Sequence, residues 1–472
     1  MDRDSVLGSV ARGQMLDWTL NSVVLVTAVG GSCLVLGTAT AWLLTCTTLP
    51  GRGLWLVAAA MPLAVPSYVA AYGWMTTFPL FHGFWPSWMV LTAVCTPYVT
   101  LPTVAAMRRA DMTLVEIARV SGRRPATAWL VGLGPQVAPA AAAGTLLAAL
   151  YALSDFGAVA LLRFQVLPYA IHRQYNSFLG RDRAAVLALI LVVGALLLVL
   201  AERRTRGNSD RWSVSRGAAR PVSPIRIGAW AGPATAVVAL PVMVGVVLPV
   251  IALFRRMLLG TRRPLDWADL ASAVQTTAAV SLMGGALALV MASFIGVLAA
   301  RFHGRLVGVV ETLSFSSHAL PGIVVGLALV YFSMRAVPGL YQSIWVLVFA
   351  YAVLFMPKAI GAVRTAVAAV PPTLGQVAAT LGRNPVQSGL LTARLAAPGV
   401  MAGFLLVVVT VMKELPATLM LRPTGMETLA TEIWDRTSSI AHGSAAPYAL
   451  ALVLLASVPA FFLSRRSTWG ER

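Results

Sequence analysis

Eleven stretches of this chain are long and apolar enough to call for lipid as their solvent. They lie near residues 19–47, 54–77, 86–107, 136–162, 184–201, 227–255, 270–300, 306–333, 343–365, 398–420 and 446–464. A helix rises about 1.5 Å per residue, so roughly 20 apolar residues cross the ~30 Å hydrocarbon core of a bilayer. Composition agrees. Of 472 residues, 58% are hydrophobic and only 11% charged, whereas a soluble domain carries about 25% charged residues. A water-soluble fold has too little interior to hide that much apolar surface. The sequence therefore predicts an all-α polytopic membrane protein with about eleven transmembrane helices, five before a polar stretch and six after it.

The net charge of +19 does not point to nucleic acid. The basic residues sit in short stretches between apolar runs, the pattern of cytoplasmic membrane loops close to anionic lipid. The polar stretch from Glu202 to Arg226 holds Arg203, Arg204, Arg206, Arg211, Arg216, Arg220 and Arg226 against Glu202 and Asp210. Its Gly, Ser and Pro content marks a linker. The expected organisation is a first repeat over 1–201, a basic cytoplasmic linker over 202–226 and a second repeat over 227–472. Counting spans from that linker puts the loop with Arg108, Arg109, Arg119, Arg123 and Arg124 inside. The 366–397 loop and the C-terminus also fall inside, while the N-terminus, Phe164–Asp182 and Pro423–Ser444 fall outside. Residues 1–18 are mixed polar, and the apolar run after them exceeds the h-region of a signal peptide; a retained helix is expected there. Cys33, Cys46 and Cys95 lie in or at the ends of apolar runs, with no spacing that suggests zinc or redox chemistry.

The two parts repeat each other. Glu116, Ala118, Gly122 and Pro125 align with Gln376, Ala378, Gly382 and Pro385 at an offset of 260. Further on, Pro139, Gly144, Asp155 and Arg163 align with Pro398, Gly403, Glu414 and Arg422 at 259. Asn21 with Gly30 and Gly31 resembles Gln275 with Gly284 and Gly285 at 254. Both copies of the loop fall on one side by the span count, so the halves are expected to be parallel repeats about an axis along the membrane normal. In the loop, Gly122 can end a helix in the left-handed region. Pro125, Pro135 and Pro139 then block its continuation. The product is a short rigid helix, which can transmit force as a floppy loop cannot.

This loop resembles the EAA loop of ABC-importer permeases. Glu116, Ala118, Gly122 and Pro135 match that pattern in the first copy (loop about 108–139); Ala378, Ala379 and Gly382 match it in the second (about 366–398). The second copy departs at Gln376, where the family has an acid, and at Leu395, near the position of the family's proline. The resemblance implies a type I ABC-importer permease fold and a coupling helix docking on an ATPase in each half. It further implies two copies of a cytoplasmic ABC ATPase that use ATP and Mg, an extracytoplasmic solute-binding protein, and no cofactor on this chain. The first half starts where the family has already placed one span, which matches five spans against six. Lys413–Gly425 with Glu427, and its partner Ser154–Arg163, resemble the ferric-iron uptake permeases of that superfamily; thiamine and phosphonate permeases are close relatives.

Ionisable side chains in a bilayer are costly and often line a pathway. Asp155, Lys413 and Glu414 come late in their helices and are candidates for an outer gate; the alternative is pairing with Arg163 or Arg422. His318, in the run Ser316 to Gly322, is a candidate for touching substrate, or a packing histidine beside a kink at Pro321. Glu311, following Arg301 and Arg305, is expected in an interfacial ion pair. His82, His172, His303 and His442 are scattered without metal-ligand spacing, so no metal site is expected. A P-loop needs Gly-Lys before Ser or Thr, and the two lysines here, Lys358 and Lys413, follow Pro357 and Met412. Energy is thus expected from a separate ATPase. A secondary carrier with parallel repeats is the rival reading, and an intramembrane enzyme has no HExxH or GxSxG motif to support it.

Overall fold

The structure is a computed structural model that describes residues 3–177, 180–206, 224–259, 266–302, 304–317, 320–438 and 442–468. The linker residues 207–223 and His318 and His303 lie outside the described residues. Two compact units divide after Leu258. The first holds α1 (Arg3–Cys46), α2 (Arg52–Ala60), α3 (Ser67–Thr77), α4 (Phe84–Arg109), α5 (Thr113–Val120), α6 (Pro125–Gly132), α7 (Gly134–Ser154), α8 (Gly157–Leu161), α9 (Leu167–Tyr175), α10 (Arg181–Arg206), α11 (Ala231–Val242) and α12 (Leu248–Leu258). The second holds α13 (Trp267–Arg301), α14 (Arg305–Ser316), α15 (Gly322–Ala336), α16 (Ile344–Ala368), α17 (Pro372–Thr380), α18 (Pro385–Met412), α19 (Pro416–Leu421), α20 (Leu429–Ser438) and α21 (Ala446–Thr468).

Among the described residues, eight helices are long and apolar enough to cross a membrane, and α2 and α3 form an apolar pair bent by 91°. Two shorter apolar helices, Gly322–Ala336 and Gly443–Pro459, fall in the two remaining apolar runs. All eleven runs of the sequence therefore correspond to helical segments. Only helices can close every backbone hydrogen bond within a single segment in lipid, which is why the apolar runs are built of helices.

Proline places the breaks. Pro66 and Pro321 both adopt φ −61° and ψ 142° immediately before α3 and α15. The expected kink at Pro321 is thus a full interruption between α14 and α15. Close helix approach comes from small residues, as membrane packing requires. A Cβ at Gly37 of α1 would come within 2.6 Å of Val99 on α4, and one at Gly296 of α13 within 2.7 Å of Val363 on α16.

The repeat pattern counts 227–258 with the second half, but this segment packs inside the first unit. Its π-turn at Met243–Val247 presents the Val244 carbonyl to the Trp74 indole N–H at 3.0 Å. Gly73 is the contact that admits it, since a Cβ there would lie 2.6 Å from Pro249 Cα. Gly73→Leu is expected to destabilise the protein by about 2–3 kcal/mol through overpacking. Thermal melting in detergent checks this, and a parental melting curve would contradict the packing.

Candidate functional site

The two repeated loops fold into the same local structure. In the first, α5 ends where Arg123 N–H donates to Ala118 O at 3.2 Å, with Gly122 at φ +80°. In the second, α17 ends where Arg383 N–H donates to Ala378 O at 3.0 Å, with Gly382 at φ +76°. This is the glycine-terminated helix end in which a backbone bond reaches five residues back. Pro125 and Pro385 then begin α6 and α18. Ala118 and Ala378 are buried under their turns, whereas Glu116 and Gln376 are exposed. Ala379 lies within α17. Each loop leaves apolar side chains in the open: Val120 is 90% exposed and Leu381 75%.

The first loop is welded to its bundle. Met112, Val115, Ala118, Ala128 and Leu133 share one apolar cluster with Ala41, Val104 and Met107. Gln136 accepts from Asp111 N–H at 2.9 Å and donates to the carbonyls of Asp111 (3.0 Å) and Gly132 (2.8 Å). The chain breaks between α6 and α7, where Gly132, Gly134 and Pro135 come together. In the second loop, Leu395 takes the place of such a break and α18 runs unbroken from Pro385 to Met412. An Asn384–Gln387 capping box starts it. The second loop is therefore held through its continuity with a long helix, and the first through its side-chain clamp.

The carboxylates that follow α7 and α18 also occupy matching places. Asp155 follows α7, accepts the hydroxyl proton of Ser67, and takes the N–H groups of Ala158 (3.0 Å) and Val159 (3.4 Å) at the start of α8. Glu414 follows α18 and accepts Ala417 N–H at 3.1 Å at the start of α19. Each carboxylate caps the short helix that follows a break. Pairing with Arg422 does not occur at Glu414: Arg422 is held by Glu427 and by Asp435, the latter at 2.9 Å. Glu311 does form an ion pair, but with Arg364 of α16 rather than with Arg301 or Arg305. Asp155 lies in one unit and Lys413 with Glu414 in the other. Reading the sequence alone missed Ser67, Gly322 and Lys358. Their signals were present: both Ser67 and Gly322 follow a repeated proline, at an offset of 255, and Lys358 is one of only two lysines. Among the described residues, no group of three or more His, Cys, Asp or Glu side chains is placed to hold a metal ion.

On α9, between the membrane spans, His172 packs against Phe156 with ring centroids 4.9 Å apart and contacts Asn176 Nδ2 at 3.1 Å. Burial pushes its imidazole down from 6.5 to about 4. The unfolded chain takes up a proton near pH 6.5, while the folded protein stays neutral until about 4. The stability from the neutral ring is therefore complete above the upper value and is lost as pH falls toward the lower one. The loss should reach about 2–3 kcal/mol. Melting followed against pH should fall more steeply for the parent than for His172→Gln; identical slopes would refute it.

Each of the two units is a bundle of apolar helices that carries one short glycine-ended helix. The profile of the family described as binding-protein-dependent transport system inner membrane component matches residues 292–465. The chain is 31% identical over 462 residues to the Fe(3+)-transport system permease protein FbpB 2 of Haemophilus influenzae, a match covering 96% of this chain and 90% of that relative. It is 30% identical over 212 residues to a probable molybdenum ABC transporter permease protein of Haloferax volcanii, covering 41% of this chain and 78% of the relative. With the sulfate transport system permease protein CysW of Synechocystis sp. it shares 28% identity over 199 residues, 36% of this chain and 71% of the relative. The chain belongs to the binding-protein-dependent transport system inner membrane components, the permeases of ABC importers. It is accordingly a multi-pass inner-membrane protein with the type I permease fold.

Proposed function

We propose that this permease imports ferric iron, driven by two copies of a separate cytoplasmic ATPase and supplied by an extracytoplasmic binding protein. The observation that carries the reading is the repeated turn at Gly122 and Gly382, with exposed apolar residues on the helix before each glycine. An apolar, glycine-capped helix end with no described residue of its own chain over it is suited to a groove on a partner. Both loops then face the cytoplasm, as does the C-terminus, and the N-terminus lies outside. ATP and Mg belong to the partner; closure of the ATPase pair draws the two levers together, and the bundle opens toward the binding protein. The breaks capped by Asp155 and Glu414 are where the gate would move, because a short helix after a break can swing without unwinding a span. The substrate reading is supported by likeness to the ferric permease along nearly the whole chain.

The test is ATP-driven uptake of radiolabelled ferric iron in proteoliposomes holding the permease, its ATPase and its binding protein. Uptake should need ATP and resist competition by thiamine and phosphonates. Uptake by the chain alone, with no ATPase retained on purification, would instead make it a secondary carrier.

A further inference from the structure

We propose that Gln136 is a positioning residue for coupling, whose amide splices the first loop to α7 so that force on α5 reaches the break at Asp155. The inference rests on the importer reading above, in which α5 docks on an ATPase. Between α6 and α7 the helix is interrupted at Leu133. In an unbroken helix the Gln136 N–H would donate to the Gly132 carbonyl, four residues back. Here it donates to Leu133 O at 3.1 Å instead. The Gln136 side chain takes the vacated acceptor, with Nε2 donating to Gly132 O at 2.8 Å. The same amide pairs with both backbone groups of Asp111, accepting its N–H at 2.9 Å and donating to its carbonyl at 3.0 Å. Asp111 in turn accepts the Thr113 N–H at 3.0 Å, at the start of α5. One side chain therefore ties together the end of α6, the start of α7 and the entry to α5.

Packing holds α5 on the same joint. A Cβ at Gly132 would lie 2.7 Å from the backbone N of Val115, so the missing side chain is what lets α5 rest there. From the joint, α7 runs 21 residues to Ser154, about 30 Å, and Asp155 follows at once to cap α8. The second unit reaches the equivalent place without a splice. There α18 runs unbroken from Pro385, just past the Gly382 turn, to Met412, just before Glu414. Both helices contain the repeated proline, Pro139 and Pro398, so the difference is confined to the joint. Where Gln136 stands in the first unit, the second has Leu395, apolar and 49% exposed. Backbone continuity does there what the Gln136 amide does in the first unit. Without that amide, α5 and α6 can turn about Leu133 while α7 stays behind.

The test uses proteoliposomes holding the permease, its ATPase and its binding protein, and measures ferric ions imported per ATP hydrolysed. Gln136→Leu, which copies Leu395, should lower that ratio roughly tenfold, as expected for losing about one to two net hydrogen bonds. A residue that merely stabilised the fold would lower uptake and hydrolysis together, so an unchanged ratio overturns the inference. Gln136→Met, which keeps the length of the side chain, gives the same reading should the leucine variant fail to fold. Leu395→Gln should keep the parental ratio; a comparable loss there would trace the effect to any change near the repeated prolines and not to the splice. Hydrogen exchange of the chain alone in detergent reads the splice directly. The Asp111 amide should exchange roughly tenfold faster in Gln136→Leu, and equal exchange would contradict the bond. A parent without ATP-driven ferric uptake sinks the ferric reading alone, because stimulation of hydrolysis by the binding protein depends on the same link whatever the cargo. That stimulation should fall in Gln136→Leu, and full stimulation would sink the role given to Gln136.

Discussion

Valine at both Gly122 and Gly382 is expected to reduce ATP-driven transport by roughly tenfold or more, with loss of ATPase on co-purification. Both glycines hold φ near +80°, where an L residue costs about 1–2 kcal/mol and a β-branched one is the least tolerated. Nothing lies within 4 Å of a Cβ built at either position, so the effect comes from the backbone and not from a clash. The turn must rearrange, and with it the bonds from Arg123 to Ala118 and from Arg383 to Ala378. Asparagine tolerates the left-handed region, so the Gly122→Asn, Gly382→Asn pair should keep most of the coupling. Full transport in the valine pair would show that these turns do not position the docking helices.

Asp155→Ala should cost stability heavily, because it strands three donors: the Ser67 hydroxyl and the N–H groups of Ala158 and Val159. Buried unsatisfied groups cost about 1–3 kcal/mol each, so a total near 2–5 kcal/mol is expected once relaxation is allowed for. Asp155→Asn keeps an acceptor for the helix start and should lose less than half of that. Glu414→Ala should be milder, with one backbone donor left. Melting of the three variants gives the ranking. If Asp155→Asn melts like the parent yet transports poorly, the charge itself serves the gate; if it melts as badly as the alanine variant, the capping account is wrong.

The spans were legible in the sequence because lipid allows an apolar run only one backbone solution. The glycine-ended turns were legible because Gly122 and Gly382 do a backbone task that few residues can do, so the repeat shows at those positions. What could not be read was which helix covers which. Residues 227–258 follow the linker in the sequence but pack with the first unit, and the Gly73–Pro249 contact that holds them there has no local sequence signature. The partner of Glu311 was hidden for the same reason: Arg364 reaches it from a different helix. The difference in stiffness between the levers was half visible, in Leu395 standing where a break would need proline. The clamp by Gln136 was invisible without coordinates.

Single cysteines at Val120 and Leu381 test the central claim most directly. The native Cys33, Cys46 and Cys95 are all buried and should stay silent to a membrane-impermeant maleimide. In intact cells neither new cysteine should react, and both should react once the inner membrane is opened, less so when the ATPase is present. Labelling of either one in intact cells would place a lever on the wrong surface and contradict the account.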